Sequence, residues 1–491
     1  MSGLNRHTLS ELPRDVLKPQ YDLNSTQRGI VHLGPGAFHR AHQAVYTDLA
    51  MSAEGGNWKI DGVSLRSKDL RDNIKAQDNL YSLMVLDDSP YVQVIGAFNQ
   101  IFVLGEQRHQ VMEALTDAST HIISLTVTEK GYCLNNKGEL DWQNPDIKHD
   151  LAHRDIPKSS IGLLVAALEA RFIQNKAELT IISCDNLSDN GDKLANAVIT
   201  FANEISQNLA NWIKENICFP NTMVDSITPA TDDALKEQTK LKISVNDAWP
   251  IQRESFTQWV VEDKFSGPRP AWDKVGVTFT DDVHIYEKAK LRILNGTHST
   301  LAYIGSLVDL ETVYEAISIS EFEQFIRQLL SQEILPSIDN ATGMDLDEYA
   351  NDIIKRYHNK HIRHFLTQIA WDGSQKIPFR ILNTIRDNIK AERSIVLLCV
   401  PIAAWCLFLA KRTKEEHEIV DPLAEVLTGL VKKNVDSPLN LVDDILDLTA
   451  VFADLSANQK FRNTIKQHVV TLNMVNKSNL AGCLTQLKDG L

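Results

Sequence analysis

The chain has 491 residues, 43% of them apolar and 23% charged, and carries a formal net charge of −14. At about 150 residues per domain this length suits roughly two to four domains with ample core, and the composition excludes disordered, collagenous and disulfide-scaffold classes. The acidity argues against a nucleic-acid binder, whose affinity rests on basic surface, but not against an enzyme that holds small anions in a locally basic pocket.

The N-terminal stretch MSGLNRHTLSELPRD is charged throughout and lacks the apolar run of a signal peptide. Cys133, Cys184, Cys218, Cys399, Cys406 and Cys483 make no CxxC pair. Cysteines this sparse point to a reducing compartment, and a cytoplasmic location is expected.

The first half alternates short β-branched runs with amphipathic stretches. Strands are expected at residues 29–33 (GIVHL), 60–65, 122–127 (IISLTV) and 179–183 (LTIIS), and helices at 161–175 and 191–207. Continuous apolar strands separated by helices predict a parallel α/β sheet buried on both faces. From about Tyr286 the strand signal fades, and helical periodicities take over at 311–331, 346–357 and 421–435. The fold class expected is therefore a Rossmann-type α/β domain over 1–285 and a mostly α-helical domain over 286–491. The uncharged segment 395–410 (IVLLCVPIAAWCLFLA) contains Pro401 and is shorter than the ~20 residues of a membrane span. It reads as a buried helix.

Open parallel sheets bind ligands at the carboxyl ends of their strands. After GIVHL comes Gly34-Pro35-Gly36, then a helix-compatible run from Phe38 to Leu49. Gly34 permits a tight turn and Gly36 lets a pyrophosphate approach a helix N-terminus, although His39 stands where GxGxxG has its third glycine. Past the second strand, Asp69 suits recognition of a ribose 2′-hydroxyl and would repel a 2′-phosphate, while the neighbouring Lys68 offsets that repulsion. NAD is favoured, with NADP left open. Three later strands end in polar clusters, with Glu129, Asp185-Asn186 and Asp225, which are expected at one edge of one sheet.

The second half begins with Tyr286 and the run from Lys290 to Ser299, KLRILNGTHS. On an α-helix Asn295 lies about 140° and His298 about 80° around from Lys290, so all three share a broad face with Leu291, Leu294 and Leu301. A buried lysine can exchange a proton with an alcohol, and an asparagine amide can donate to a developing alkoxide. Tyr286 and Lys290 also spell YxxxK, read here as coincidence because the glycine turn does not match that pair's family. There is no HExxH, and His39 and His42 lack a partner cluster, so no metal is expected. The basic run KRYHNKHIRH (355–364) reads as a solvated helix end.

These residues together resemble the polyol-specific long-chain dehydrogenases, the family that includes mannitol 2-dehydrogenases and fructuronate reductases (D-mannonate oxidoreductases). The matching stretches are GIVHLGPGAFHRAHQAVYTD, LTVTEKGYC, SCDNLSDNG, FTQWVVEDKF, KLRILNGTHSTLAY and DGSQKIP. The resemblance implies an NAD-binding Rossmann-type domain, a helical substrate and catalytic domain, and metal-independent hydride transfer. It implies Lys290 as general acid/base, Asn186 and Asn295 polarising the substrate oxygen, His298 orienting substrate, and Glu129 passing protons to solvent. Asp225 and Lys376 would contact the polyol chain. Gly34, Gly36 and Phe38 would form the NAD-binding turn, and Asp69 would hold the adenosine ribose.

Leu65-Arg66-Ser67 and NDAWPIQ look like the mannitol enzymes, whereas LRILNGTHSTLAYIG, HIRHFLTQIAWDGSQKIP and Gln368 look like fructuronate reductases. Ser226 departs from the usual VDR, which weakens a carboxylate clamp beside Asp225. Because the helical domain shapes the substrate pocket, D-fructuronate/D-mannonate is the first expectation and D-fructose/D-mannitol or a pentitol the alternative. A catalytically silent nucleotide sensor is the remote one. The expected partner is a small sugar acid or polyol, with no nucleic acid and no membrane; family members often work as monomers.

Overall fold

In a computed structural model the chain divides into two compact units, Met1–His284 and Ile285–Leu491. The structure describes residues 2–176, 178–339 and 344–489.

The strands of the first unit are β1 (Arg28–Leu33), β2 (Lys59–Ser64), β3 (Tyr81–Leu86), β4 (Tyr91–Ile95), β5 (Phe98–Val103), β6 (Ile122–Leu125), β7 (Leu179–Ser183), β8 (Ile217–Cys218), β9 (Thr222–Asp225), β10 (Ile251–Glu254), β11 (Gln258–Glu262) and β12 (Thr278–Thr280). Six of them form one parallel sheet in the order β5-β2-β1-β6-β7-β8. This is the doubly wound order, whose reversal between β1 and β6 opens a crevice at the strands' carboxyl ends. The apolar runs are continuous because both faces are covered. Ile30, Ile122 and Ile182 pack with Val45, Met51 and Trp259 on one face. Val31, Leu33, Ile123 and Ile181 pack with Leu164, Phe201 and Ile213 on the other. The helix Ser160–Ile173 starts where Ser159 accepts the Gly162 amide, and Gln207–Asn216 starts at Ser206 in the same way.

Two expectations change here. The run after Gly36 is two helices, Ala37–Ala41 and Gln43–Glu54, because His42 between them leaves helical geometry at φ −125°, ψ −88°. More consequentially, Asp225 does not end a strand of the main sheet. After β8 the chain passes through Pro220, and β9 pairs antiparallel with β11 in a separate three-stranded sheet, β12-β11-β9. Asp225 is therefore carried by a different layer from Glu129 and Asn186.

The second unit is built of helices. The segment expected from 311 to 331 splits into Val313–Ile317 and Ser320–Leu329, separated by a turn at Ser318–Ile319. Leu346–Tyr357 stands as read. The apolar segment is the helix Val396–Lys414, and everything from Leu397 to Leu409 is buried. It is long and apolar enough to cross a membrane by length and composition, yet most of it lies inside this unit. Its first turn is capped by buried Glu333, whose carboxylate accepts the Leu397 and Leu398 amides at 3.1 and 2.8 Å. Among the described residues three π-helical turns interrupt the unit, at Lys290–Asn295, Leu330–Ile334 and Pro378–Leu382. Such turns insert one extra residue and re-aim the side chains that follow.

Candidate active site

In the first unit the glycine turn sits on the carboxyl end of β1. Gly34 has φ +84°, donates to Val63 O at 2.9 Å and accepts from Thr126 Oγ1 at 2.7 Å. A Cβ there would lie 2.3 Å from the Thr126 carbonyl oxygen, so the position is closed to any side chain. At Gly36 a Cβ would meet nothing nearer than Gly34 O at 3.8 Å, leaving an open approach to the backbone. Gly36 precedes the helix Ala37–Ala41, whose first-turn amides have no partner inside the helix. Beneath the turn, His32 bonds Ser124 Oγ at 2.8 Å and Thr126 Oγ1 at 2.9 Å. The ring of His39 stacks on His32 with centroids 3.3 Å apart. His39 thus fills with a ring the place where a third glycine would let helix and strand close up. Burial pushes His32 down to about 3, so this wedge is uncharged. Phe38 is half-buried and lies against the His42 ring at 5.0 Å.

Asp69 is exposed at the start of the helix Asp69–Ile74, five residues past β2, and accepts from Ser67 Oγ at 2.7 Å. Glu129 is exposed and opens the short 3-10 turn Glu129–Tyr132. The residue before it, Thr128, has φ +64° and ψ 162°, a region that β-branched residues avoid. What holds it there is Asp185, at the end of β7. Its carboxylate accepts the Val127 and Thr128 amides, both at 2.9 Å, and the Tyr132 hydroxyl at 2.7 Å. Burial raises the Asp185 carboxyl, and the three donors only partly oppose it. Asn186 follows directly and is exposed at the same strand end. Asp185 is the residue that sequence reasoning left without a role. It ties the turn bearing Glu129 to the strand end bearing Asn186. Asp225 is buried at the end of β9, and Ser226 beside it bonds Phe256 O at 3.1 Å.

In the second unit, Lys290 and Asn295 begin and end a π turn, closed by the Gly296 amide bonding Leu291 O. With i→i+5 closure the chain advances roughly 80° per residue, which puts Asn295 about 40° from Lys290 and His298 within about 20° of it. The three side chains therefore fall nearly in one row, a closer alignment than the α-helical reading gave. Lys290 is 8% exposed and His298 6% exposed; Leu294 and Leu301 are buried with them, whereas Leu291 is only half-buried. Tyr286 lies on the helix before the π turn.

His298 packs against Tyr357 at 4.7 Å and edge-on to His364 at 4.9 Å. Burial first, then the charges of His364, Arg356 and Arg380, hold its imidazole well below the ordinary value, so it is neutral. Its Nε2 and His364 Nδ1 are buried without a hydrogen-bond partner. The basic run 355–364 is thus not simply solvated. Lys355, His358, Lys360, His361 and Arg363 are exposed, but Arg356 and Tyr357 are buried and His364 turns inward.

Lys376 lies on the helix Gly373–Ile377, with Asp372 at 3.8 Å. Burial and then Arg380 lower its ammonium, opposed by Asp372 and Asp421. The motif around it has a packing explanation. Asp372 adopts φ +55°, Ser374 Oγ donates to Asp421, and a Cβ on Gly373 would lie 2.4 Å from Trp405 Nε1. One turn on, Arg380 donates to Ser299 Oγ at 3.2 Å, and its own carbonyl would lie 3.0 Å from a Cβ on Gly296. Gly296 is what lets the two π turns approach each other.

Comparison with known proteins follows the same two-unit division. A model of the mannitol dehydrogenase Rossmann domain matches residues 28–274, and one of the mannitol dehydrogenase C-terminal domain matches 282–473. The chain is 39% identical to the uncharacterized oxidoreductase YeiQ of Escherichia coli, covering 93% of this chain and 94% of that one. It is 38% identical to the D-mannonate oxidoreductase of Escherichia coli, covering 91% and 92%. Among solved structures it is similar to Pseudomonas fluorescens mannitol 2-dehydrogenase in a ternary complex with NAD and D-mannitol, with a TM-score of 0.83, 36% identity and full coverage of both chains.

Proposed function

The chain belongs to the mannitol dehydrogenase family, and from that premise we propose that it is an NAD-dependent, metal-independent secondary-alcohol dehydrogenase. The reaction proposed is D-fructuronate and NADH to D-mannonate and NAD, and its reverse. The observation that carries the reading is the row formed by buried Lys290 and His298 with half-buried Asn295 across the π turn.

The residues of the glycine turn suit a dinucleotide. Gly34 admits no side chain, Gly36 is open above, and the first-turn amides of Ala37–Ala41 would hold the pyrophosphate. Asp69 would take the adenosine ribose hydroxyls, which favours NAD over NADP. Bound NADH would supply the hydride. Lys290 gives its ammonium proton to the substrate carbonyl oxygen, and in oxidation its amine takes the hydroxyl proton. Burial is the condition under which a lysine exchanges that proton readily. Asn186 and Asn295 donate amide hydrogens to the same oxygen as negative charge develops on it. His298, neutral at physiological pH, serves as a hydrogen-bonding group that orients substrate and is not a proton source. Glu129, exposed on its turn, exchanges protons between Lys290 and solvent. Asp225 and Lys376 bind substrate hydroxyls.

The test is NADH oxidation with fructuronate, tagaturonate, fructose and xylulose at equal concentration. Fructuronate is expected to give the highest kcat/KM. Measurable NADH binding with no turnover of any of the four would replace the dehydrogenase by a nucleotide sensor. Fructose as best substrate would replace the sugar acid by the polyol.

A further inference from the structure

Resting on the dehydrogenase reading above, we infer that Arg380 is the specificity residue that binds a substrate carboxylate, so that this enzyme selects keto sugar acids over neutral ketoses of the same carbon skeleton. Arg380 lies on the third π turn, four residues after Lys376, and its guanidinium is held against the helix that carries His298.

Its surroundings are cationic and unbalanced. Arg380 makes one hydrogen bond, to Ser299 Oγ, and among the described residues no carboxylate lies within ion-pair distance of it. A guanidinium has five N–H donors in a planar fork, and half-buried Arg380 leaves most of them without a protein acceptor. Two other shielded arginines are better supplied with acceptors. Arg292 bonds Ser337 O and Oγ and pairs with Asp387, while Arg171 donates to the carbonyls of Leu115, Asp117, Thr120 and Glu178. Arg380 stands apart from both.

Its neighbours offset its charge only in part, Asp372 acting on it from beyond ion-pair distance. Lys376, on the preceding turn, is itself cationic and has Asp372 for company at 3.8 Å; Asp421 is engaged by the Ser374 amide and hydroxyl. Tyr303 Oη is buried without a partner, as are His298 Nε2 and His364 Nδ1. Burial and surrounding positive charge keep both imidazoles neutral, so neither adds to nor cancels the local charge. What is missing from this set is an anion with several acceptor lone pairs, and a carboxylate fits the guanidinium fork in a bidentate way. A neutral hydroxymethyl group in its place would leave the guanidinium desolvated and unpaired, the arrangement that discriminates most strongly between ligands.

The experiment compares fructuronate with fructose, which differ by a carboxylate against a hydroxymethyl at the end remote from the ketone. The readout is the ratio of their kcat/KM values in wild type, Arg380→Gln and Arg380→Lys. Wild type should prefer the acid by at least a hundredfold. Arg380→Gln should collapse that ratio by a hundredfold or more, chiefly through the KM for fructuronate, because the carboxylate is remote from the reacting carbon. Arg380→Lys, which keeps the charge and loses the fork, should retain an intermediate preference. Loss of both substrates alike in Arg380→Gln, or an acid preference that survives it, overturns the assignment. If Arg380→Gln does not fold, an undiminished ratio in Arg380→Lys overturns it equally. A wild type that turns over fructose better than fructuronate defeats this inference while leaving the dehydrogenase intact; a wild type inactive on both defeats the underlying reading.

Discussion

Replacing Asp185 by Ala removes the acceptor that holds three donors at the carboxyl ends of β6 and β7. The bonds lost run from the Val127 amide, the Thr128 amide and the Tyr132 hydroxyl. Each bond to a charged group contributes roughly 1.5–3 kcal/mol. Water can replace part of this, since Thr128 is exposed, and Tyr132 keeps its bond to Ser183 Oγ. Against that, Thr128 sits in a backbone region that costs roughly 1–3 kcal/mol and persists only while its surroundings enforce it. The local opening free energy of the segment should therefore fall by about 2–4 kcal/mol, or about 30- to 800-fold in opening equilibrium. Hydrogen–deuterium exchange over residues 125–133 measures this directly. Thr128→Gly in the Asp185→Ala background should recover part of the protection, because glycine tolerates φ +64° without strain. Exchange unchanged within threefold in Asp185→Ala, or no recovery from the glycine, would refute the clamp.

Three further outcomes follow from the geometry. Gly34→Ala places a Cβ 2.3 Å from the Thr126 carbonyl at φ +84°, so NADH affinity measured by fluorescence titration should drop at least tenfold; an unchanged affinity would mean the turn does not carry the dinucleotide. Asn186→Ala and Asn295→Ala should each raise the barrier behind kcat by roughly 2–4 kcal/mol in steady-state kinetics, the usual cost of losing one oxyanion donor, and a change confined to KM would make them binding residues. Burial pushes Asp48 up to about 7 from 3.8, although it accepts from Tyr21 Oη and the Gly96 amide. Its folded-state value is raised, so its contribution is full below about pH 4 and is lost as pH rises through 7. Asp48→Asn does not titrate, and the Tm of wild type minus that of the variant should fall between pH 4 and 8; a flat difference would contradict this.

The parallel sheet was legible because its strands are buried on both faces, so each appears as an unbroken apolar run such as IISL or LTIIS. β10 and β11 mix polar and aromatic residues and find partners far away in sequence, β3 and β9, which no local pattern reveals. Placing Asp225 in the main sheet failed for the same reason: its strand leaves that sheet at Pro220 and pairs with β11. Lys290, Asn295 and His298 were visible as residue types at a suggestive spacing, but a π turn adds one residue without altering composition, so the phase between them was not. The role of Asp185 was hidden because its partners are backbone amides 57 and 58 positions away. Arg356 and His364 were masked by the exposed charges around them, and Arg380 by its position after a motif already explained by Lys376.

In the proposed NADH-dependent reduction, Lys290 moves the proton. The direct measurement is Lys290→Ala, assayed in parallel for NADH oxidation with the best keto substrate and for NADH binding by fluorescence. Turnover is expected below detection with the NADH dissociation constant within about threefold of wild type, since a residue acting on transition-state chemistry alone leaves cofactor affinity in place. Turnover retained within tenfold of wild type would contradict it.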